Sequence, residues 1–498
     1  MNRSNDSPKI RSLLIANRGE IAVRVARTAR EMNIEAVGVY AEAEADAAHV
    51  GQMDRAMSLG SGSPLETYLS IPKLLAAAHG AGAQAVHPGY GFLSESAEFA
   101  RAVSEAGLLW IGPSPAAIEE MGDKVRARRR MREAGVPVVP GSDESAQSDE
   151  ALAAQAVEIG FPVLVKASAG GGGKGMSRVD SAQDLPAALS EARRVARGAF
   201  GSDLVYLERF FERPRHVEFQ IFGDCSGNVV HLFERECSVQ RRHQKIVEET
   251  PSLALDPVLR GKMGLAAVEA ARAVGYVGAG TVEFLLDEQG RFHFLEMNTR
   301  LQVEHPITEE TLGIDLVRAQ IEVAQGVLLP EAWRQGSLAP RGHAIELRLY
   351  AEDPVSFLPR TGRLSAWDEP SGPGVRVDAG VQEGSTIGLD YDPLLAKLVV
   401  SAPDRPAAIA RARRALAEWV VLGVETNAPL LDAVLASEEF ASGRYATDLV
   451  SRLPPAAVPP TPDAVWIAAA LELSHGSPRG GEAPRSLEPW DETSGWRP

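Results

Sequence analysis

The sequence predicts a multidomain chain of mixed class, part α/β and part α+β. Three observations predict it. The chain has 498 residues, more than one compact core absorbs, so roughly two to four domains are expected. Its first stretch alternates strands and helices, the pattern of βαβ units in a parallel sheet. Residues 341–402 are instead strand-rich, broken by Gly and Pro turns.

Composition sets the outer limits. The apolar fraction, 45%, is ordinary for a protein with large buried cores. Lys and Arg number 51 against 67 Asp and Glu, a formal charge of −16. A phosphate-backbone binder needs a basic face, so no nucleic-acid partner is expected. Two cysteines, Cys225 and Cys237, exclude a disulfide framework and a four-cysteine zinc site, and they suit a reducing cytoplasm. Residues 1–11 are polar with no apolar h-region, so no secretory signal is expected. No apolar run approaches the ~20 residues that span a bilayer, so no membrane segment is expected.

The elements follow in order. Residues 12–16 form a short apolar strand, and a helix after Gly19 puts Ile21, Val25 and Ala29 on one face. Residues 35–40 are the next strand, and similar strands recur at 85–87 and 108–111. The run 135–141, with paired Gly and Pro, is a connector. Strands at 161–167 and 175–179 are joined by a glycine run, and 279–298 form a hairpin. Residues 406–422 form a helix that buries Ile409, Ala412, Leu416 and Trp419. The proline-rich stretch 454–462 is a linker, and 464–474 have the pattern of one helix. No repeat of solenoid period is present.

Four segments carry chemistry. Between Lys166 and Met176 runs KASAGGGGKGM. Consecutive glycines let backbone N–H groups close on phosphate oxygens without Cβ clashes, and Lys174 adds a point charge. Gly175 stands where a Walker A loop needs Ser or Thr. A plain surface loop is the alternative. Two lysines and two flanking strands favour a phosphate flap, which is expected to be mobile without nucleotide and ordered with it.

In the hairpin, Glu283 and Glu296 lie about symmetrically around the turn at 287–290, so they should face each other. Like charges directly opposite are destabilising, and a divalent cation reverses the sign. Asn298 shares the face of Glu296. Two carboxylates and an amide suit Mg²⁺ or Mn²⁺ held jointly with ATP phosphates. A solvated polar face is the alternative, weakened by Phe284, Phe292, Phe294 and Met297.

If the chain stays extended beyond the hairpin, Glu296, Asn298, Arg300, Gln302 and Glu304 all face one site, while Met297, Leu301 and Val303 face away. Residues 236–249 are dense in polar and cationic groups that are costly to bury without an anionic ligand. A solvated helix face is the alternative there. It is the preferred reading of the arginine-rich run 126–132, which receives no role. Cys237 carries no mark of an activated nucleophile and is read as a packed thiol. The turn-rich run 87–95 is a loop, with Ser94 as a possible helix N-cap.

Together these segments resemble the biotin carboxylase family of ATP-grasp ligases. The resemblance spans residues 8–450, through IANRGEIA at 15–22, 87–95, 121–124, the glycine run, 214–218, 240–245, 296–305 and 351–354. It implies a Rossmann-like biotin-carboxylase N-domain at 1–122 and an ATP-grasp domain at 123–340 with a glycine-rich lid at about 140–210. A biotin-carboxylase C-terminal domain at 341–452 and a Pro-rich linker and tail at 453–498 follow. It implies ATP contacts from Lys124, Lys166, Gly172, Gly173, Glu208, Arg209, Phe211, His216, Gln240, His243, Glu283 and Glu296. Metal ligation by Glu283, Glu296 and Asn298, with two ions, is implied as well. Lys245, Arg300, Gln302 and Val303 match the bicarbonate pocket, Glu304 the base, and Arg300 and Arg348 the groups that hold biotin and stabilise its enolate. ATP is thus a substrate, which converts bicarbonate to carboxyphosphate.

No Ala-Met-Lys-Met biotinyl loop and no carboxyltransferase segment occur. Biotin is therefore expected on a partner, a biotin carboxyl carrier protein, with carboxyltransferase subunits completing a homodimeric or larger complex. Residues 346–350 and the tail 486–497 resemble α chains of acyl-CoA carboxylases. The biotin carboxylase subunit of a pyruvate carboxylase and another ATP-grasp ligase are the alternatives. A scaffold that has lost catalysis is disfavoured by the retained metal carboxylates and Arg300.

Overall fold

Short apolar strands that alternate with amphipathic helices can only bury both faces of a parallel sheet. The computed structural model, which describes residues 9–142, 147–167, 176–200, 203–333, 337–456, 463 and 465–467, opens with such a sheet. Strands β1 (Ser12–Ile15), β2 (Glu35–Tyr40), β3 (Arg55–Ser58), β4 (Ala85–His87) and β5 (Leu109–Trp110) pair in parallel in the order β3-β2-β1-β4-β5. The helix Gly19–Glu31 buries Ile21, Val25 and Ala29 as its periodicity requires. The strand expected at 108–111 is only two residues long, and β3, with one exposed residue at each end, carried no apolar signature. Strand order reverses between β1 and β4, where loops of a doubly wound sheet gather ligands. There Asn17 Nδ2 donates to Pro88 O and Tyr90 O at 2.7 and 2.8 Å, lashing the two loops together.

A second, three-stranded antiparallel sheet follows: β6 (Val163–Ala167), β7 (Ser177–Val179) and β8 (Val205–Arg209), in the order β7-β6-β8. The helices Asp149–Ile159 and Leu185–Phe200 pack on it through Leu152, Ala156, Leu185 and Leu189. The glycine run expected to join β6 to β7, with Gly172 and Gly173, lies outside the described residues.

The largest sheet is antiparallel and draws its strands from residues 215–402. It contains β9 (Arg215–Gly223), β10 (Val229–Arg241), β11 (Gln244–Thr250), β12 (Gly278–Leu286), β13 (Phe292–Asn298) and β14 (His343–Tyr350). Two further pairs of short strands are β15 (Gly362–Arg363) with β18 (Thr386–Ile387), and β16 (Ala366–Asp368) with β20 (Val420–Leu422). Strands β17 (Val375–Ala379) and β19 (Leu394–Ala402) complete the large sheet in the order β13-β12-β9-β10-β11-β14-β19-β17. The seam runs from Val247 opposite Leu347 to Thr250 opposite Ala344. Residues 236–249 are thus a buried hairpin, not a helix face, because β10 and β11 each have a strand on both sides.

Two further expectations change. The helix expected over 406–422 is Arg405–Glu418; Trp419 turns extended and leads into β20. Its β-branched Val420 and Val421 suit a strand, and Trp419 packs edge-on against Trp367 at 5.3 Å. Ser94 is buried outside the helix Ala97–Glu105, whose N-cap is Ser96, accepting from Phe99 N at 3.2 Å. Residues 457–498 form a separate unit, in which described residues 463 and 465–467 are helical; the rest of the helix expected at 464–474 lies outside the described residues. Among the described residues no helix is long and apolar enough to cross a membrane.

Candidate active site

The β12–β13 hairpin sets Glu283 directly opposite Glu296. The ladder shifts by one residue between Glu283 and Phe284, so Leu295 is the extra residue of a bulge. Asn298 Nδ2 donates to Glu283 Oε1 at 2.8 Å, placing all three expected metal ligands on one face. Burial alone would raise the Glu283 carboxyl, but Lys245 and His216 beside it hold it well below the usual range. Glu296 is pushed up by desolvation and by Glu283. That asymmetry follows from two facing carboxylates of which only Glu283 is held by both Lys245 and His216. Two carboxylates and an amide, all carrying hard oxygens, are donor types that fit a divalent cation.

Lys245, on β11, is the hub. Its Nζ donates to Glu218 Oε2, Glu283 Oε1 and Glu304 Oε1 at 2.5, 2.8 and 2.8 Å. Burial opposes its charge, yet the three carboxylates raise its pKa well above normal. Behind it, the fully buried Arg235 donates to Glu218 Oε1 at 2.6 Å and to Gln220, Thr308 and Thr281. Glu304 is the N-cap of the helix His305–Leu312, and Arg348 Nη2 donates to its Oε2 at 2.9 Å. Against the cost of burial, Lys245 and Arg348 hold Glu304 well below the usual carboxylate range. Cys237 Sγ lies 4.0 Å from Glu304 Oε1, and burial pushes the thiol well up, consistent with a packed thiol.

The extended segment expected over 296–304 stops at Asn298. Thr299 N turns toward Glu95 at 3.3 Å, and Pro306 opens the helix two residues after Glu304. The side chains converge nonetheless. Arg300 donates from Nη2 to Asn298 Oδ1 at 3.0 Å and from Nη1 to Gln302 Oε1 at 3.3 Å, and its Nε pairs with Glu95 at 3.1 Å. Val303 offers its carbonyl to Lys397 Nζ at 2.9 Å.

Next to this cluster, Gln240 Nε2 donates to His216 Nδ1 at 2.7 Å, so the Nε2–H of His216 is the one given to Glu283 at 2.6 Å. Lys124 Nζ lies 3.9 Å from Glu296. On the three-stranded sheet, Lys166 bonds Glu208, the partner also of Arg128 at 3.4 Å. Arg128 corrects the reading of 126–132 as a purely solvated face: it is buried and donates to Val139 O at 2.7 Å. Arg209 instead reaches Ile159 O, Phe211 stacks on His293 at 5.1 Å, and His243 sits at the β10–β11 turn with φ 66°. Glu218 and Arg235 were missed as site residues, although the alternation His216, Glu218, Gln220 along β9 marks a polar face.

A small antiparallel sheet bearing Lys166 and a carboxylate-bearing hairpin with Lys245 of the neighbouring β11 against Glu283 define the ATP-grasp class of ligases. Family models match residues 9–118 as biotin carboxylase N-terminal domain, 123–332 as carbamoyl-phosphate synthase L chain ATP-binding domain, and 346–452 as biotin carboxylase C-terminal domain. The biotin carboxylase of Halalkalibacterium halodurans is 48% identical over 441 residues, which are 89% of this chain and 97% of that one. Methylcrotonoyl-CoA carboxylase subunit alpha of Rattus norvegicus is 47% identical over 443 residues, 89% of this chain and 62% of that one. The biotin carboxylase domain of Hydrogenobacter thermophilus 2-oxoglutarate carboxylase, solved as a dimer with MgADP, ADP and bicarbonate, has 44% identity and a TM-score of 0.85, covering 89% of this chain and 98% of that one. The chain belongs to the biotin carboxylase family and is an ATP-dependent ligase, with the three-part fold that the resemblance implies.

Proposed function

We propose that this chain carboxylates the biotinyl group of a carrier protein, using ATP and bicarbonate through carboxyphosphate, as the first half-reaction of an acyl-CoA carboxylase. The observation that carries the reading is Glu304, a buried anion held between Lys245 and Arg348 beside the Glu283–Glu296 pair. Glu304 is the base that takes the bicarbonate proton. Lys245 and Arg348 hold it well below the usual carboxylate range, so it stands as the anion that a base must be. An anion bound at Lys245 would draw the ammonium off Glu304 and raise its basicity, so the base is armed by its substrate.

Lys124, Lys166, Gly172, Gly173, Glu208, Arg209, Phe211, His216, Gln240 and His243 form the nucleotide site in this reading. Lys245, Arg300, Gln302 and Val303 hold bicarbonate. Glu283, Glu296 and Asn298 would hold Mg²⁺ or Mn²⁺, two ions in the full site, supplying charge neutralisation at the phosphates. Arg300 and Arg348 would hold biotin in this reading, where a fixed cation stabilises its enolate. The boundaries 1–122, 123–340, 341–452 and 453–498 belong to the same reading, as do a cytoplasmic setting and a homodimer with carrier and carboxyltransferase partners. The methylcrotonoyl-CoA relative supports an acyl-CoA as final acceptor, and the 2-oxoglutarate carboxylase relative supports a 2-oxo acid as the second reading.

The test is phosphate release from ATP, measured with and without bicarbonate and with and without a biotinylated carrier. Release should require bicarbonate and rise with the carrier. ATP turnover indifferent to both would sink the reading in favour of another ATP-grasp ligase. Carboxyltransferases for acyl-CoA and for 2-oxo acids, added in turn, then choose between the acceptors.

A further inference from the structure

Glu248 and Glu346 stand directly opposite each other across the β11–β14 seam, so their side chains share one face of the sheet. Both residues are fully buried. Neither carboxylate oxygen of Glu346, and neither of Glu248, receives a hydrogen bond of good geometry. Two residues along β14, on the same face, comes Arg348. Its Nη2 lies 2.5 Å from Glu248 Oε1 and 2.9 Å from Glu304 Oε2. One guanidinium nitrogen is therefore shared between the carboxylate of the site and one member of the pair behind it.

Two carboxylates buried face to face disfavour each other's ionisation. The cations nearby decide which one keeps its charge. Glu248 has Arg348 at contact distance. The remaining cation facing Glu346, Lys397 on β19, is committed to Val303 O at 2.9 Å, Glu20 at 3.2 Å and Asp378 at 4.0 Å. From β11, Lys245 is committed to three carboxylates. The helix packed on β14 brings Glu304 and His305, of which the first adds only negative charge. Burial raises the Glu346 carboxyl well above the ordinary range, Glu248 and Glu304 add to the effect, and Lys397 and Arg348 offset only part of it. Burial raises Glu248 less far, to about 7, because Arg348 at contact distance offsets more of the cost.

We propose that Glu346 and Glu248 form a one-proton carboxyl pair, with the proton on Glu346, and that the charged Glu248 is a positioning residue that aims Arg348 at Glu304 and the biotin side of the site. The pair supplies Arg348 with one counter-charge rather than two. A second charge at Glu346 would pull the guanidinium back from Glu304 toward the sheet. The inference rests on the role given to Arg348 above.

The experiment has two arms. In the first, infrared difference spectra compare the wild type with Glu346→Gln near neutral pH. A protonated-carboxyl stretch, sensitive to D₂O, should be lost in the variant; a spectrum with no such loss shows Glu346 ionised and overturns the proposal. In the second, kinetics with a biotinylated carrier compare Glu248→Gln and Glu248→Asp. Glu248→Gln should lower kcat by up to roughly 10²-fold, as misplacing an aligned group by about 1 Å does, with the KM for ATP little changed. Glu248→Asp, which keeps the charge, should recover part of that loss. Wild-type kcat in Glu248→Gln, no recovery in Glu248→Asp, or a loss confined to the KM for ATP, overturns the positioning role. Because the infrared band does not depend on turnover, it is independent of the biotin reading. That reading fails separately, if Arg348→Gln keeps a normal kcat.

Discussion

Lys245 shows how much of this site is decided by single atoms. One ammonium bridges Glu218, Glu283 and Glu304 within 2.8 Å, which the chain supplies from β9, β12 and a helix N-cap. Arg300 is placed with equal economy, its three nitrogens turned to Glu95, Asn298 and the Leu301–Gln302 turn. If Arg300 acts on charge that develops only during reaction, Arg300→Ala should lower kcat by roughly 10²–10³-fold and leave the KM for ATP nearly unchanged. Steady-state kinetics at varied ATP check this; a normal kcat with a raised ATP KM would move Arg300 into the nucleotide site. The placement of Glu283 opposite Glu296, with Asn298 beside them, was legible from alternation and hairpin symmetry. Arg128 and Arg235 were not, because nothing local tells a buried arginine from a solvated one. Their partners Glu208 and Glu218 lie in other strands, and only the folded chain brings them together.

At the scale of elements, a buried ion cluster adds to the apolar core that holds the C-terminal helices on the large sheet. Glu249 on β11 accepts from Arg405 Nε and Nη2 at 2.6 and 3.0 Å, pairs with His343 at 2.7 Å and receives the Tyr445 hydroxyl. The helix Arg405–Glu418 is thereby fastened to the large sheet. Burial alone would raise Glu249, but the bonds from His343 and Arg405 win and lower it from 4.5 to about 2. A folded pKa below the unfolded one contributes stability above about pH 4.5, which is lost as pH falls toward about 2. The size is about 3 kcal/mol, in the range for breaking a buried pair. Glu249→Gln should therefore melt well below the wild type at pH 7, and the gap should close as pH drops below 4.5. Melting curves from pH 7 to pH 3 test it; a gap that is constant with pH removes the ion pairs as its cause. The end of this helix also marks a limit of periodicity: Trp419 continues the apolar stripe, so the pattern runs on to 422, while β-branched Val420 and Val421 in fact pair with β16.

At the scale of the molecule, the βαβ start was legible because β1, the helix Gly19–Glu31 and β2 are consecutive in sequence and the two strands pair in parallel. The continuous eight-stranded sheet was not, since β11 and β14 are paired across more than ninety residues, and no local pattern encodes that register. The same long-range assembly buries charge between the first sheet and the last. Glu20, in the first turn of the helix Gly19–Glu31, is 5% exposed and faces Lys397 Nζ of β19 at 3.2 Å. Lys397 is shared with Val303 O and with Asp378, which Arg376 also holds. Burial raises Glu20 to about 7, Lys397 offsetting only part of the cost. Here the folded pKa lies above the unfolded value of 4.5, so the sign is opposite to that of Glu249. Stability is full below about pH 4.5 and declines as pH rises through about 7. The decline is of order 3 kcal/mol, the linkage of a shift of this size. Glu20→Gln mimics the uncharged acid. It should match the wild type in melting temperature near pH 4.5 and exceed it above pH 7. A variant less stable than the wild type at pH 8 would mean that the Glu20–Lys397 pair favours the assembled chain in its charged form, and that burial costs less at this junction than its surroundings indicate.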